Sequence, residues 1–222
     1  MDLILATNNK NKVKEMKEIL GDINGIDKIL TLQDIGFDKD IKTGKRYIDN
    51  AILKVNAVRE YLMTKYKQAD YIVIGDDSGL EIEALGNVPG IYSHRFLGED
   101  VSQEMKNRII VHNIMNVVPN INRKASYKCY MALSFPLYGD EKIVYGCMNG
   151  YIGYEIDTVG KNGFGYDPIF YIDNVSAASM NHDLKLKINH RYKALNRAKA
   201  RIEEFLELRE SENNEVIYNG EN

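Results

Sequence analysis

Two aspartates, Asp76 and Asp77, stand side by side directly after the apolar run 71–75 and directly before Ser78 and Gly79. Adjacent carboxylates repel and are costly to desolvate, so a pair where a buried strand stops is explained by a cation between them and an incoming anion. Asp, Ser and Gly are equally the ordinary residues of a turn after a strand. Three other stretches carry residue types that could share this chemistry. Thr7, Asn8, Asn9, Lys10, Asn11 and Lys12 follow the first apolar run, and their amides, ammonium groups and helix-start N–H groups suit a phosphate. Thr and Asn are also common N-caps. In GKNGFGYDPIFY, residues 160–171, glycines around Phe164 and Tyr166 let the backbone at Gly165 approach a flat ligand under an aromatic cover. Asp167-Pro168 fixes the exit of that loop, and a Gly-rich turn with core aromatics would read the same way. Lastly, His190 and Arg191 offer donors in fixed directions to a carbonyl-bearing base edge, with Lys185 in reach of a phosphate. A solvated helix start has the same composition.

These residues must be positioned by an α/β frame. "DLILATNN" reads as a short strand entering a polar turn, and Val13, Met16, Ile19 and Leu20 then recur at helical spacing. A longer helix is predicted from about Tyr47 to Leu62, leading into the strand that ends at the paired aspartates. A further helix is expected from Ser102 to about Val117. "ASYKCYMALSF" alternates apolar residues from Ala125 to Phe135, and a turn over 138–141 returns the chain into "KIVYGCMNGYIGYEI". The sheet is therefore expected to be mixed. Leu195, Ala198, Ile202, Phe205 and Leu206 form the stripe of a closing helix. One domain is expected over 1–208, with an acidic, Asn-rich tail over 209–222 that frays.

Composition narrows the function classes. The 222 residues are 44% hydrophobic, enough for a sizeable core. With 29 Lys and Arg against 32 Asp and Glu, the net charge of −3 argues against a general grip on nucleic acid or an anionic membrane, so any anion site is local. Two cysteines without CxxC spacing fit a reduced, cytoplasmic setting. The N-terminus lacks the basic lead of a signal peptide, and no apolar run approaches the roughly 18 residues of a membrane span.

Taken in order, these motifs resemble the inosine/xanthosine triphosphate pyrophosphatase family. The pattern begins with Thr-x-Asn-x-x-Lys at Thr7, Asn9 and Lys12, and continues with Asn-Ala-x-x-Lys ending at Lys54 and Asp-Asp-Ser-Gly-Leu at Asp76 to Leu80. Pro-Gly-Ile-Tyr-Ser follows at Pro89 to Ser93, then Gly-Phe-Gly-Tyr-Asp-Pro at Gly163 to Pro168. The closing Lys-x-x-x-Ser-His-Arg is met by Lys185, Asn189, His190 and Arg191. The resemblance spans about residues 3 to 195. It departs at two places: a metal-binding glutamate expected before Thr43-Gly44 is Ile41, with Asp40 beside it, and the serine before His190 is Asn189.

The resemblance implies an elongated, two-lobed α/β fold with a long mixed sheet flanked by helices, a central nucleotide cleft, and a homodimer. It implies Mg²⁺ held by Asp77 with support from Asp76, and Asp77 as the proton acceptor for an attacking water. Ser78 would touch the nucleotide, and the 7–12 loop with Lys12, Lys54 and Lys185 would neutralise the triphosphate. ITP, dITP and XTP would yield the nucleoside monophosphate and pyrophosphate. Donors from the loop of Phe164, Gly165, Tyr166 and Asp167, and from His190 and Arg191, would accept a 6-oxo purine and oppose the 6-amino group of adenine. A related pyrophosphatase with another base preference, or a purine-nucleotide binder without catalysis, would share most of these residues. Magnesium dependence is expected to persist, with Asp40 taking part of the missing glutamate's role.

Overall fold

The computed structural model describes residues 1–41, 43–66, 70–136 and 141–219. The first strand, β1 (Asp2–Leu5), is followed by α1 (Lys10–Leu20), β2 (Lys28–Thr31) and α2 (Tyr47–Tyr66). Next come β3 (Tyr71–Ile82), the short β4 (Val88–Pro89) and α3 (Gln103–Arg108), whose backbone widens into π-helical turns over Ile109–Met115. The long strands β5 (Lys124–Ser134) and β6 (Lys142–Ile152) precede β7 (Phe170–Ile172), β8 (Val175–Ser176), α4 (His182–Ile188) and α5 (His190–Asn219). These strands form one eight-stranded sheet in the order β2-β1-β3-β5-β6-β7-β8, with β4 on β3. It is mixed as expected, with β1 parallel to β2 and β3 while β3, β5 and β6 pair antiparallel.

Two expectations change. The strand of the paired aspartates does not stop at residue 75 but runs through them to Ile82. Its parallel neighbour β1 pairs only as far as Ile74, whereas β5 stays in register from Val73 to Ile82. An antiparallel partner on one side is enough to keep polar residues in a strand when their side chains find partners across the two faces. The second change is at the end of the chain, where 209–219 continues α5 instead of leaving the helix. Arg209, Glu210, Glu212 and Glu215 are good helix formers, and continuing an existing helix needs no new nucleus. The turn expected over 138–141 lies, apart from Glu141, outside the described residues.

Strand alternation divides the core. Ile72 and Ile74 face α1 and α5, together with Cys129, Met131 and Leu133 of β5. Farther along the same strands, Leu80, Ile82, Ala125 and Tyr127 pack with Ile110, Val111, Ile152 and Phe170. Val73 and Ala132 point the other way, into a third cluster with Val55, Val58 and Leu62 of α2. Between the first two clusters lies the start of α5, which sits very close to β6. A Cβ added to Gly146 would overlap His190 O and lie 2.7 Å from Ala194 N. Gly146→Ala should therefore lift α5 from the sheet and cost about 1–3 kcal/mol of stability or more. A urea melt within error of wild type would show that the helix can give way.

Candidate active site

Side chains on opposite faces of β3 separate the two aspartates. Asp76 points toward α1 and α5 and has no exposed side-chain surface. Its Oδ2 lies 2.7 Å from Lys12 Nζ and 3.8 Å from Arg191 Nε, while Oδ1 is buried without a hydrogen-bond partner among the described residues. Burial pushes this carboxyl up, but Lys12, Lys54 and Arg191 outweigh it and hold the group below its ordinary range. Asp77 points toward α2, where Asn50 Nδ2 donates to its Oδ2 at 2.7 Å and Lys54 Nζ stands 3.8 Å from Oδ1. Here burial prevails over Lys54, Asn50 and Lys12, so Asp77 is raised above the usual carboxylate value. Lys54 also donates to the Asp76 carbonyl at 2.5 Å, and its burial, with Lys12 nearby, lowers its own proton affinity.

Asp77 opens into a cavity of about 630 Å³. Of the residues singled out in the sequence, Thr7, Asn8, Asn9, Asn11, Lys12, Lys54, Ser78, Phe164, Gly165, Tyr166, Asp167, His190 and Arg191 line it as well. Lys10, Asp76 and Lys185 are not in its wall. Lys185 is instead tied to the Asn162 carbonyl and, at 3.3 Å, to Asp167 Oδ2. Asn9 acts as the N-cap of α1, its Oδ1 accepting from Asn11 N at 3.0 Å and Lys12 N at 3.2 Å. Ile41 lines the cavity, whereas Asp40 is exposed and lies outside that wall.

The aromatic loop closes another side. Gly165 takes the left-handed φ of 66° that glycine tolerates, and its carbonyl accepts from Asn107 Nδ2 at 3.1 Å. Asp167 Oδ2 accepts from Phe164 N at 3.1 Å, and Tyr166 Oη donates to Ser93 O at 2.7 Å. Phe164 lies over the Arg191 guanidinium, 5.5 Å from Cζ to the ring centroid. That guanidinium donates to Glu15 and, at 3.1 Å, to Ser78 Oγ. Asn189 caps α5 by accepting from Arg191 N at 2.8 Å, so asparagine fills the place of the expected serine with a working cap. His190 stacks on Tyr127, centroids 4.7 Å apart and planes 8° from parallel, and both its ring nitrogens are buried without a hydrogen-bond partner among the described residues.

Asn50, Glu15 and Tyr127 were not singled out as site residues. Asn50 opens the Asn-Ala-x-x-Lys motif one helical turn before Lys54, and Glu15 lies one turn after Lys12, so the motif for the first and helical spacing for the second are the signals that point to them. Tyr127 sits in the alternating run of β5 and reads as core.

A model of the Ham1 family matches residues 3–201. The chain belongs to the Ham1 family. The dITP/XTP pyrophosphatase of Clostridium perfringens is 38% identical over 206 residues, covering 91% of this chain and 98% of the relative. That of Bacillus subtilis is also 38% identical over 206 residues, with 91% and 97% covered. Among solved structures, the Ham1 protein of Staphylococcus aureus is 33% identical with a TM-score of 0.74, covering 91% of this chain and 98% of its own. A HAM1 protein from Coxiella burnetii gives 29% and 0.77, with 92% and 99% covered. The family resemblance and the α/β fold expected from the motifs are borne out by these matches.

Within this Ham1 chain, His190 makes a testable contribution to stability. Burial, followed by Arg191, Lys12, Lys185 and Lys193, pushes its protonation far below the ordinary imidazole range, so the folded ring stays neutral. The unfolded chain takes up that proton near about pH 6.5. Stability linked to the neutral ring is thus present above that pH and lost as pH falls below it. Urea melts from about pH 7.5 to 5 should lose up to about 1.4 kcal/mol per pH unit from this group. His190→Phe should flatten the slope by that amount, and parallel slopes would refute the assignment.

Proposed function

We propose that this chain hydrolyses the non-standard purine triphosphates ITP, dITP and XTP to the nucleoside monophosphate and pyrophosphate, as a homodimeric cytoplasmic enzyme. The carrying observation is the setting of Asp77: one carboxylate of raised proton affinity, facing a cavity that Lys12 and Lys54 also line. The names of the relatives, dITP/XTP pyrophosphatase, support the same substrate class.

Asp77 is the proton acceptor in this reading. Its raised value makes it a stronger base than an exposed carboxylate, and the Asn50 hydrogen bond fixes the plane of the group. Lys12 and Lys54 offset charge on the α-phosphate region, with Ser78, Thr7, Asn8, Asn9 and Asn11 alongside. Asp76 supports these groups from beneath the cavity as the buried counter-ion of Lys12 and Arg191.

The donor set fits Mg²⁺. Among the described residues no three His, Cys, Asp or Glu side chains cluster as a protein-only metal cage. Mg²⁺ characteristically keeps several waters and takes one or two carboxylates plus substrate phosphates. Asp77 would hold it together with the triphosphate, and the ion would then supply charge neutralisation and a more acidic water. Ile41 lies in the wall and Asp40 outside it, so a contribution from Asp40 would have to reach the ion through a water.

Base choice rests on polarity. Arg191 has donors only, and Glu15 and Ser78 fix its orientation. A 6-oxo group is paired there, and a 6-amino group meets donor with donor. Phe164 and Tyr166 supply the flat cover.

The test is pyrophosphate release from ITP, XTP, dITP, GTP and ATP with and without magnesium. Release from the first three, magnesium-dependent and well above that from ATP, is expected; no release from any of them refutes the proposal. Asp77→Asn should keep the fold and lower kcat by about 10²-fold or more, because it removes the base while leaving the shape. A folded variant within a few-fold of wild type would take that role from Asp77.

A further inference from the structure

Arg95 lines the cavity, and neither the motif pattern nor the mechanism above uses it. Among the described residues its side chain makes no hydrogen bond or ion pair; it lies over Tyr92, with Cζ 4.8 Å from the ring centroid. The other long cations of the site are compensated. Lys12 is paired with Asp76, Lys54 with the Asp76 carbonyl and Asp77, and Arg191 with Glu15. Arg95 therefore brings charge to the cavity that no carboxylate of the site offsets.

The backbone beneath it is fixed. Three successive carbonyls each accept a hydrogen bond: Ser93 O from Tyr166 Oη at 2.7 Å, His94 O from Lys106 Nζ at 2.7 Å, and Arg95 O from Gly98 N at 3.0 Å. Ser93 is also bound to β3, its Oγ accepting from Leu80 N at 2.9 Å and donating to Gly90 O at 2.7 Å. Lys106 is 4% exposed and has no carboxylate partner among the described residues. A guanidinium in the cavity wall without a counter-ion is compensated when a polyanion fills the cavity.

We propose that Arg95 is a catalytic residue that binds the terminal phosphates and stabilises the departing pyrophosphate. This rests on the pyrophosphatase reading of the site. In the step, a water oxygen bonds to the α-phosphorus as the bond from that phosphorus to the α–β bridging oxygen breaks. The water's proton goes to Asp77. The electron pair of the broken bond stays on the bridging oxygen, which leaves with pyrophosphate, and the new negative charge meets the guanidinium. Its planar fork suits two phosphate oxygens at once, which a lysine cannot match.

Calorimetric titration of wild type, Arg95→Ala and Arg95→Lys with pyrophosphate and, separately, with IMP tests this in the presence of magnesium. Arg95→Ala should weaken pyrophosphate binding by about tenfold or more, leave IMP within about twofold, and lower kcat/KM for ITP by about 10²-fold, with Arg95→Lys in between. Unchanged pyrophosphate affinity in Arg95→Ala, or equal losses for pyrophosphate and IMP, overturns the assignment. If wild type cleaves no triphosphate while Arg95→Ala still weakens pyrophosphate binding, the phosphate site stands and the pyrophosphatase reading falls. Arg95→Lys, which keeps the charge on the same fixed backbone, carries the comparison should the alanine variant misfold.

Discussion

An uninterrupted strand cannot turn two successive side chains to the same side. Because β3 runs through Asp76 and Asp77 without a break, its alternation assigns one carboxylate to each face of the sheet. Everything around them follows from that split. The face of Asp76 is sealed by α1 and α5, so its charge must be met internally, and Lys12 and Arg191 meet it. The face of Asp77 is reached by α2 and the cavity, so its partners are a neutral amide from Asn50 and a more distant ammonium from Lys54. Two chemically identical neighbours thereby acquire opposite proton affinities. The repulsion that makes such a pair puzzling in a linear sequence is reduced by their pointing apart.

That split also explains what could be read without a structure. Helical and strand periodicities located α1, α2, β5 and β6, and the ordered motifs gathered nearly every wall of the cavity, because each motif begins or ends where an element meets the site. Polarity usually marks a turn, so the sequence points to a strand end at residue 75, and only the pairing with β5 shows the ladder continuing. Lys185, expected at the phosphates, here donates to the Asn162 carbonyl and to Asp167. Such side-chain choices depend on competing acceptors brought together from distant segments, and spacing along one segment does not encode them. Glu15 and Asn50 escaped for a related reason. Both act on another functional side chain and not on the cavity's contents alone, so their value appears only with the partner beside them.

The cavity wall joins capped helix starts to a hydrogen-bonded aromatic loop. Asn189 at the start of α5 and Asn9 at the start of α1 use their side chains to cap helices, and each cap places a cation, Arg191 or Lys12, two or three residues later. The aromatic loop is tied from several sides, by Asn107 to the Gly165 carbonyl, by Tyr166 to Ser93, and by Lys185 to Asn162 and Asp167. Capped helix starts and a loop bonded to distant segments together suit a ligand whose charged end and flat end must both be placed accurately.

The long strands have a further effect. β3 and β5 carry Ile72, Ile74, Met131 and Leu133 in one cluster and Leu80, Ile82, Ala125 and Tyr127 in another. Neither cluster can open without disturbing a ladder that continues through the other, in register from Val73 with Ser134 to Ile82 with Ala125. Unfolding is then shared between the two ends of the molecule, and the amides of this central ladder are the ones released to solvent deuterium only by global opening.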